Sequence, residues 1–104
     1  MLESELQPKV LKLLEKLGYY AVKIITCSRT GWMDIVACSP TGQFVGIELK
    51  VGRNKPDDLQ CLHIREVKTR GGIAFVAWSL ADIEEGLRQG YRKDGTDAVD
   101  LPQL

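Results

Sequence analysis

Residues 44–51 alternate between two sets of side chains. Val45, Ile47, Leu49 and Val51 form one set, and Phe44, Gly46, Glu48 and Lys50 the other. A period of two is a β-strand, here with one apolar face. Glu48 and Lys50, two apart, then project side by side from the opposite face. Taken alone, such a pair reads as a solvated ion pair on a sheet surface.

Upstream, Arg29-Thr30-Gly31-Trp32-Met33-Asp34 precedes a short apolar run, Ile35 to Cys38. Pro40-Thr41-Gly42 makes a turn into the 44–51 strand, so the two runs read as a hairpin. An acid at the mouth of the first strand lies near the Glu48/Lys50 face of its partner. Two carboxylates and one lysine converging on a sheet surface make a divalent-metal site with a charged helper. The ion-pair reading loses ground accordingly.

These residues resemble a known family. Gly31-x-x-Asp34, a hairpin, Glu48-Leu49-Lys50 and then Gln60 are similar to the PD-(D/E)xK nuclease superfamily. The closer resemblance is to its VRR-NUC branch, of the small stand-alone type found in phages. Glu3-Ser4-Glu5-Leu6-Gln7 resembles the Glu-bearing first helix of that branch and of archaeal Holliday junction resolvases. The resemblance spans roughly residues 3–78. Each motif is short, and their order and spacing carry the match. Met33 departs from the family, which usually has Pro before the Asp; that residue sets backbone geometry and ligates nothing.

The resemblance implies a restriction-endonuclease-like core and a metal-dependent endodeoxyribonuclease using Mg²⁺ or Mn²⁺. Mg²⁺ takes oxygen ligands and keeps several waters, so one or two carboxylates suffice. Asp34 and Glu48 are the expected ligands, and the family adds the backbone carbonyl of Leu49. Lys50, as a cation, is expected to orient water and stabilise the transition state rather than abstract a proton. Gln60 is expected to point into the site as a neutral donor. Glu3 reads either as an acid complementing the helix dipole or, by resemblance, as an accessory acid of the metal site. The family also implies branched DNA, four-way junctions above all, and a homodimer with one site per subunit. It further suggests a phage protein in the cytoplasm of a bacterial host.

Composition bounds these expectations. The 104 residues fit one domain, 1–104, with a core of about 3–89 and a tail over 90–104. Fourteen basic and fourteen acidic residues cancel to a net charge of zero, which counts mildly against a nucleic-acid binder. Local cations matter more than the sum, and Arg29, Arg53 and Lys55 are the candidates for phosphate contact. The loop that carries Arg53 and Lys55, residues 52–57, equally reads as a solvated loop. Cys27, Cys38 and Cys61 show no C-x-x-C spacing, and there is one His, which argues against a structural zinc site. The cysteines read as reduced core thiols in a cytosolic setting. No apolar run approaches the roughly 20 residues of a membrane span, and no signal peptide is visible.

The remaining elements follow from periodicity. Leu6, Val10, Leu13, Leu14 and Leu17 predict a helix over 5–17, stopped at Gly18. Pro8 leaves its start open, near Pro8 itself or around Ser4. Residues 19–26 predict a strand. Asp57-x-x-Gln60 opens a second helix as a capping-box variant, with Gln60, His63, Ile64 and Val67 on one face. His63 reads as a packing histidine. Gly71-Gly72 ends that helix, residues 73–78 form a strand, and Ser79 caps a third helix carrying Leu80, Ile83 and Leu87. Beyond Gly90 the tail is polar, with Lys93-Asp94-Gly95 as a turn and Val99 and Leu101 able to pack back. The order is α-β-β-β-α-β-α: a meander of three strands, then a crossover, giving a mixed α/β sheet flanked by helices.

A non-catalytic nucleic-acid-binding module of the same fold is the first rival reading, and retention of Asp34, Glu48 and Lys50 opposes it. A structural or interaction domain is the second, and zero net charge is its best support. A flap nuclease shares the chemistry. A restriction-type enzyme does too, but usually needs a larger chain for base readout.

Overall fold

A computed structural model describes residues 1–90. Its elements run α1 (Glu3–Lys16), β1 (Tyr20–Lys23), β2 (Ile35–Cys38), β3 (Phe44–Leu49), α2 (Asp58–Thr69), β4 (Ile73–Ala77) and α3 (Leu80–Gly90). This is the predicted α-β-β-β-α-β-α order. The expected tail turn and the packing of Val99 and Leu101 lie outside the described residues.

The four strands stand in sequence order, β1-β2-β3-β4. The first three pair antiparallel as a meander, and β4 joins β3 in parallel after crossing over through α2. Ser39 builds the β2–β3 turn: its Oγ accepts from the backbone N–H of Thr41 and Gln43 at 3.2 and 2.9 Å. The hairpin register pairs Ile35 with Ile47 and Cys38 with Phe44.

Alternation then sorts the side chains between two layers. Ile35, Ala37, Val45, Ile47, Leu49, Ile73 and Ala77 face α1 and α3, where Leu6, Val10, Leu14, Ile83 and Leu87 close the main core. Each of the Val, Leu and Ile side chains contributes about 1.5–3 kcal/mol on full burial. The opposite face carries Gly46, Glu48, Ala74 and Val76. Over it lie α2 and Met33, which forms a second cluster with Ile64 and Ala74.

Gly46 makes room for Met33. A Cβ at residue 46 would sit 2.5 Å from Met33 Cε and 2.6 Å from its Sδ. Met33 is 1% exposed and serves as a packing residue at the position before Asp34. The far part of this face is uncovered, because α2 reaches only β3 and β4. There Tyr20, Cys38 and Phe44 form one cross-strand row, and all three are exposed.

Several boundaries shift. The first helix opens at Glu3, two residues before the expected start, and contains Pro8 in its second turn. Its start is set by Glu5, whose carboxylate accepts from the Leu2 N–H at 2.8 Å. β1 stops at Lys23 rather than continuing to 26, because its partner begins at Ile35. One more bond, Ile24 N–H to the Asp34 carbonyl, closes the pairing. Of the cysteines, only Cys61 is buried; Cys27 and Cys38 are exposed free thiols. The reading of all three as core thiols is therefore corrected: Cys38 lies on the uncovered face and Cys27 in the loop between β1 and β2. Tyr19, just before β1, is buried in the main core.

Candidate active site

The β2–β3 register, extended by one residue, sets Asp34 opposite Glu48. Asp34 stands just before β2, where the strand has no further partner on β3 except through its side chain. That side chain is used: Asp34 Oδ2 accepts the Leu49 N–H at 2.8 Å. One oxygen of Asp34 is thereby fixed to the backbone of the strand that carries Glu48.

The loop that delivers Asp34 is pinned by α2 at two points. His63 Nε2 lies 2.9 Å from the Thr30 carbonyl, and since a carbonyl only accepts, Nε2 carries the proton. Gly31 has φ 77°, and a Cβ there would meet Leu59 at 2.9 Å. A residue with a side chain at 31 is disfavoured both by the backbone and by this approach. The glycine of Gly31-x-x-Asp34 therefore has a local physical cause.

Glu48 is 2% exposed, yet carries a carboxylate. Gln60 Nε2 donates to its Oε2 at 2.8 Å, and Lys50 Nζ lies 3.4 Å from the same oxygen. Oε1 is buried with no hydrogen-bond partner among the described residues. An unsatisfied buried acceptor is costly, and a charged one more so. Burial first, and the nearby Asp34 second, push the Glu48 carboxyl up to about 7; Lys50 pulls the other way.

Gln60 does two jobs from the first turn of α2. Asp57 caps that helix by accepting the Gln60 N–H at 2.8 Å. Gln60 Oε1 in turn accepts the Asp57 N–H at 3.0 Å, which completes a capping box. The remaining end of the amide, Nε2, is what reaches Glu48. The sequence offered cap partner and inward donor as alternatives; the side chain is both.

Glu3 comes from the other layer of the molecule. One carboxylate oxygen each from Glu3, Asp34 and Glu48 lies within 4.8 Å of the others. The Glu3 carboxyl is raised, chiefly by burial and then by Asp34, and Lys50 lowers it. Glu5 caps α1 and does not share in this cluster. Three carboxylates brought together, one with a buried unpartnered oxygen, are a hard-oxygen donor set suited to a divalent cation.

The other expected contact residues are less assembled. Arg29, Arg53 and Lys55 are exposed. Arg29 lies in the loop before Asp34. Arg53 and Lys55 flank Asn54, whose carbonyl accepts the Trp78 indole N–H at 2.8 Å. That bond ties the loop after β3 to the end of β4, so both cations stay near the strand ends. Trp32, two positions before Asp34 in the loop bearing Arg29, lies beside the site and meets the His63 ring edge-on.

Protein-family models and curated proteins yield no match to this chain. Among solved structures, it is similar to one described as a VRR_NUC domain. The two are 25% identical and superpose with a TM-score of 0.70, over 83% of this chain and 94% of the other. The nuclease resemblance read from Gly31-x-x-Asp34, Glu48-Leu49-Lys50 and Gln60 thus coincides with a likeness in three dimensions to a VRR_NUC domain over most of both chains.

Proposed function

We propose that this domain is a divalent-metal-dependent endodeoxyribonuclease that cuts branched DNA, with four-way junctions as its substrate. The observation that carries the metal-dependent part is the division of labour within Glu48. Gln60 and Lys50 occupy Oε2, and Oε1 is left buried and unpartnered in a carboxylate that clusters with Asp34 and Glu3.

Asp34, Glu48 and the Leu49 carbonyl hold Mg²⁺ or Mn²⁺ in this reading, and Glu3 supports them from α1. When bound, such an ion neutralises phosphate charge and makes its bound water more acidic. The protein's own residues do the rest. The Leu49 N–H fixes Asp34, and Gln60 fixes Glu48, so neither ligand must be ordered when substrate arrives. Lys50 places a positive charge where the phosphorane-like transition state gathers negative charge. Arg29, Arg53 and Lys55 bind flanking phosphates without reading sequence.

Junction preference rests on assembly. With zero net charge and few local cations, one subunit holds linear duplex weakly. Two subunits related by a C₂ axis double the contacts for a substrate with matching symmetry. The uncovered face is the apolar surface this reading assigns to the second subunit: Tyr20 is 81% exposed, and Val22 and Phe44 lie on the same side of the sheet.

The test is a cleavage panel of four-way junction, flap, splayed and linear DNA with Mg²⁺ and with Mn²⁺. Metal-dependent, symmetric nicking of the junction is expected, and Asp34→Ala or Glu48→Ala should abolish it. Preferred cutting of flaps would move the substrate assignment and keep the chemistry. Cleavage that survives either carboxylate variant would sink the site.

A further inference from the structure

One groove, apart from Arg29 at its edge, is not used by the proposed chemistry. It has a volume of about 310 Å³ and is lined by Arg29, Trp32, His63, Glu66, Val67 and Arg70. Its floor is built, not incidental. Trp32 packs against the Met33–Ile64–Ala74 cluster and meets the His63 ring edge-on, with centroids 5.4 Å apart at 61°. His63 is itself held by the Thr30 carbonyl. The indole is therefore fixed on its protein side, while it stays partly exposed on the other.

The charges at the groove are unequal. Arg70 is paired with Glu66, through its side chain and its carbonyl. Arg29 makes no ion pair among the described residues, which leaves an uncommitted guanidinium beside a partly exposed indole. An aromatic face with a free cation beside it suits a nucleotide: the base stacks and the phosphate meets the cation.

The groove is also adjacent to the site. Gln60, which holds Glu48, and His63 are three residues apart on α2, a rise of about 4.5 Å. Trp32 is two residues before Asp34. Two or three residues of chain on each of two elements thus link the groove to the site.

We infer that this groove receives one nucleotide next to the scissile phosphate, unstacked at the branch point, with its base against Trp32 and a phosphate on Arg29. The inference rests on the nuclease reading for its place relative to the cut, and it names what that site recognises: an unstacked base rather than duplex alone. Glu66, held by Arg70, sets the acidic limit of the groove.

The test uses the whole protein in Ca²⁺, with binding followed by fluorescence anisotropy. Four-way junctions are prepared with a single abasic sugar at each position across the branch point. One position beside the cut is expected to weaken binding about tenfold, since stacking on an aromatic ring contributes at roughly that scale. The other positions should change it little. In Trp32→Ala the sensitive position should vanish into the background. If that variant fails to fold, Arg29→Ala provides the second readout, because Arg29 is exposed. It should weaken binding to all junctions and reduce the salt slope by about one. Equal tolerance of abasic sugars at every position overturns the inference, as does absence of DNA binding. Loss of cleavage in Mg²⁺ with the abasic-sensitive position intact would instead count against the nuclease reading alone.

Discussion

Gln60 joins the start of α2 to Glu48: its Oε1 accepts the Asp57 N–H at 3.0 Å, and its Nε2 donates to Glu48 Oε2 at 2.8 Å. Helix capping and the orientation of Glu48 therefore share one side chain. Gln60→Ala should lose about 0.5–2 kcal/mol of stability through the cap. It should also lose 10–100-fold in metal affinity or turnover, the usual effect of removing a ligand's supporting bond. Asp57→Ala should show the stability loss with a smaller effect on the metal. Denaturant melts paired with calorimetric Mn²⁺ titration separate the two. Equal losses in both variants would mean that the Gln60–Glu48 bond is incidental.

Lys50 tests the electrostatic assignment. Lys50→Ala should reduce turnover about 10²–10³-fold, the scale of one lost transition-state donor. Metal binding should survive. Because Lys50 draws the Glu48 carboxyl downward, its loss should also shift the pH–rate profile upward. Single-turnover rates across pH provide both readouts. A collapse of metal affinity with little change in rate would make Lys50 a structural partner of the carboxylates.

Glu48 imposes a pH dependence on the metal-free protein. Its carboxyl ionises at about 7 when folded, against 4.5 as the ordinary value. The folded state holds this proton more tightly than the unfolded chain. The stability it confers is fully present below about 4.5 and is lost as pH rises through about 7. In EDTA, Tm should therefore fall across that window, and Glu48→Gln should flatten the decline. Cations compete with the proton, so metal affinity should rise over the same range. A Tm profile unchanged by Glu48→Gln would contradict the burial argument.

Gly46 and Met33 should be coupled. Gly46→Ala drives a methyl into Met33 and should destabilise by about 1–3 kcal/mol. Met33→Ala leaves a cavity and should cost about 2–5 kcal/mol. The double variant should fall short of their sum, because the shortened side chain no longer meets the new methyl. Urea unfolding of the four proteins measures this. Simple additivity would show that the two do not contact each other in solution.

The uncovered sheet face carries the assembly prediction. Val22→Glu should shift the protein from dimer to monomer in sedimentation velocity. Junction cleavage should fall, and linear-duplex affinity should change little. A wild-type protein that sediments as a monomer at micromolar concentration, with and without DNA, would refute the dimer.

Much of the fold is legible in the chain because its signals are local. The alternation over 44–51, the Asp57–Gln60 cap and the Ser79 cap each mark an element by short-range chemistry. Asp82 N–H donates to Ser79 Oγ at 3.2 Å, as that cap requires. The convergence of Asp34, Glu48 and Lys50 was also readable, since a hairpin fixes its own register. What was not readable depends on contacts between distant segments. Glu3 could not be assigned from sequence, because only the docking of α1 decides whether it serves a helix dipole or the cluster. The early end of β1 reflects where β2 begins, which strand propensity at 24–26 does not contain. The exposure of Cys38 follows from α2 covering half of one face, a matter of helix length and placement rather than residue type.

The seat of Glu3 has a mechanical consequence. Asp34 and Glu48 are anchored to a hydrogen-bonded sheet, whereas Glu3 is the first residue of α1. Helix ends open at far lower free energy than paired strands. The three carboxylates thus form a vessel with two rigid walls and one hinged one. Fraying of a single helical turn would uncover the cluster without disturbing the two carboxylates on the sheet, so in the proposed reaction an ion or product would have a way out that leaves the rest of the fold closed.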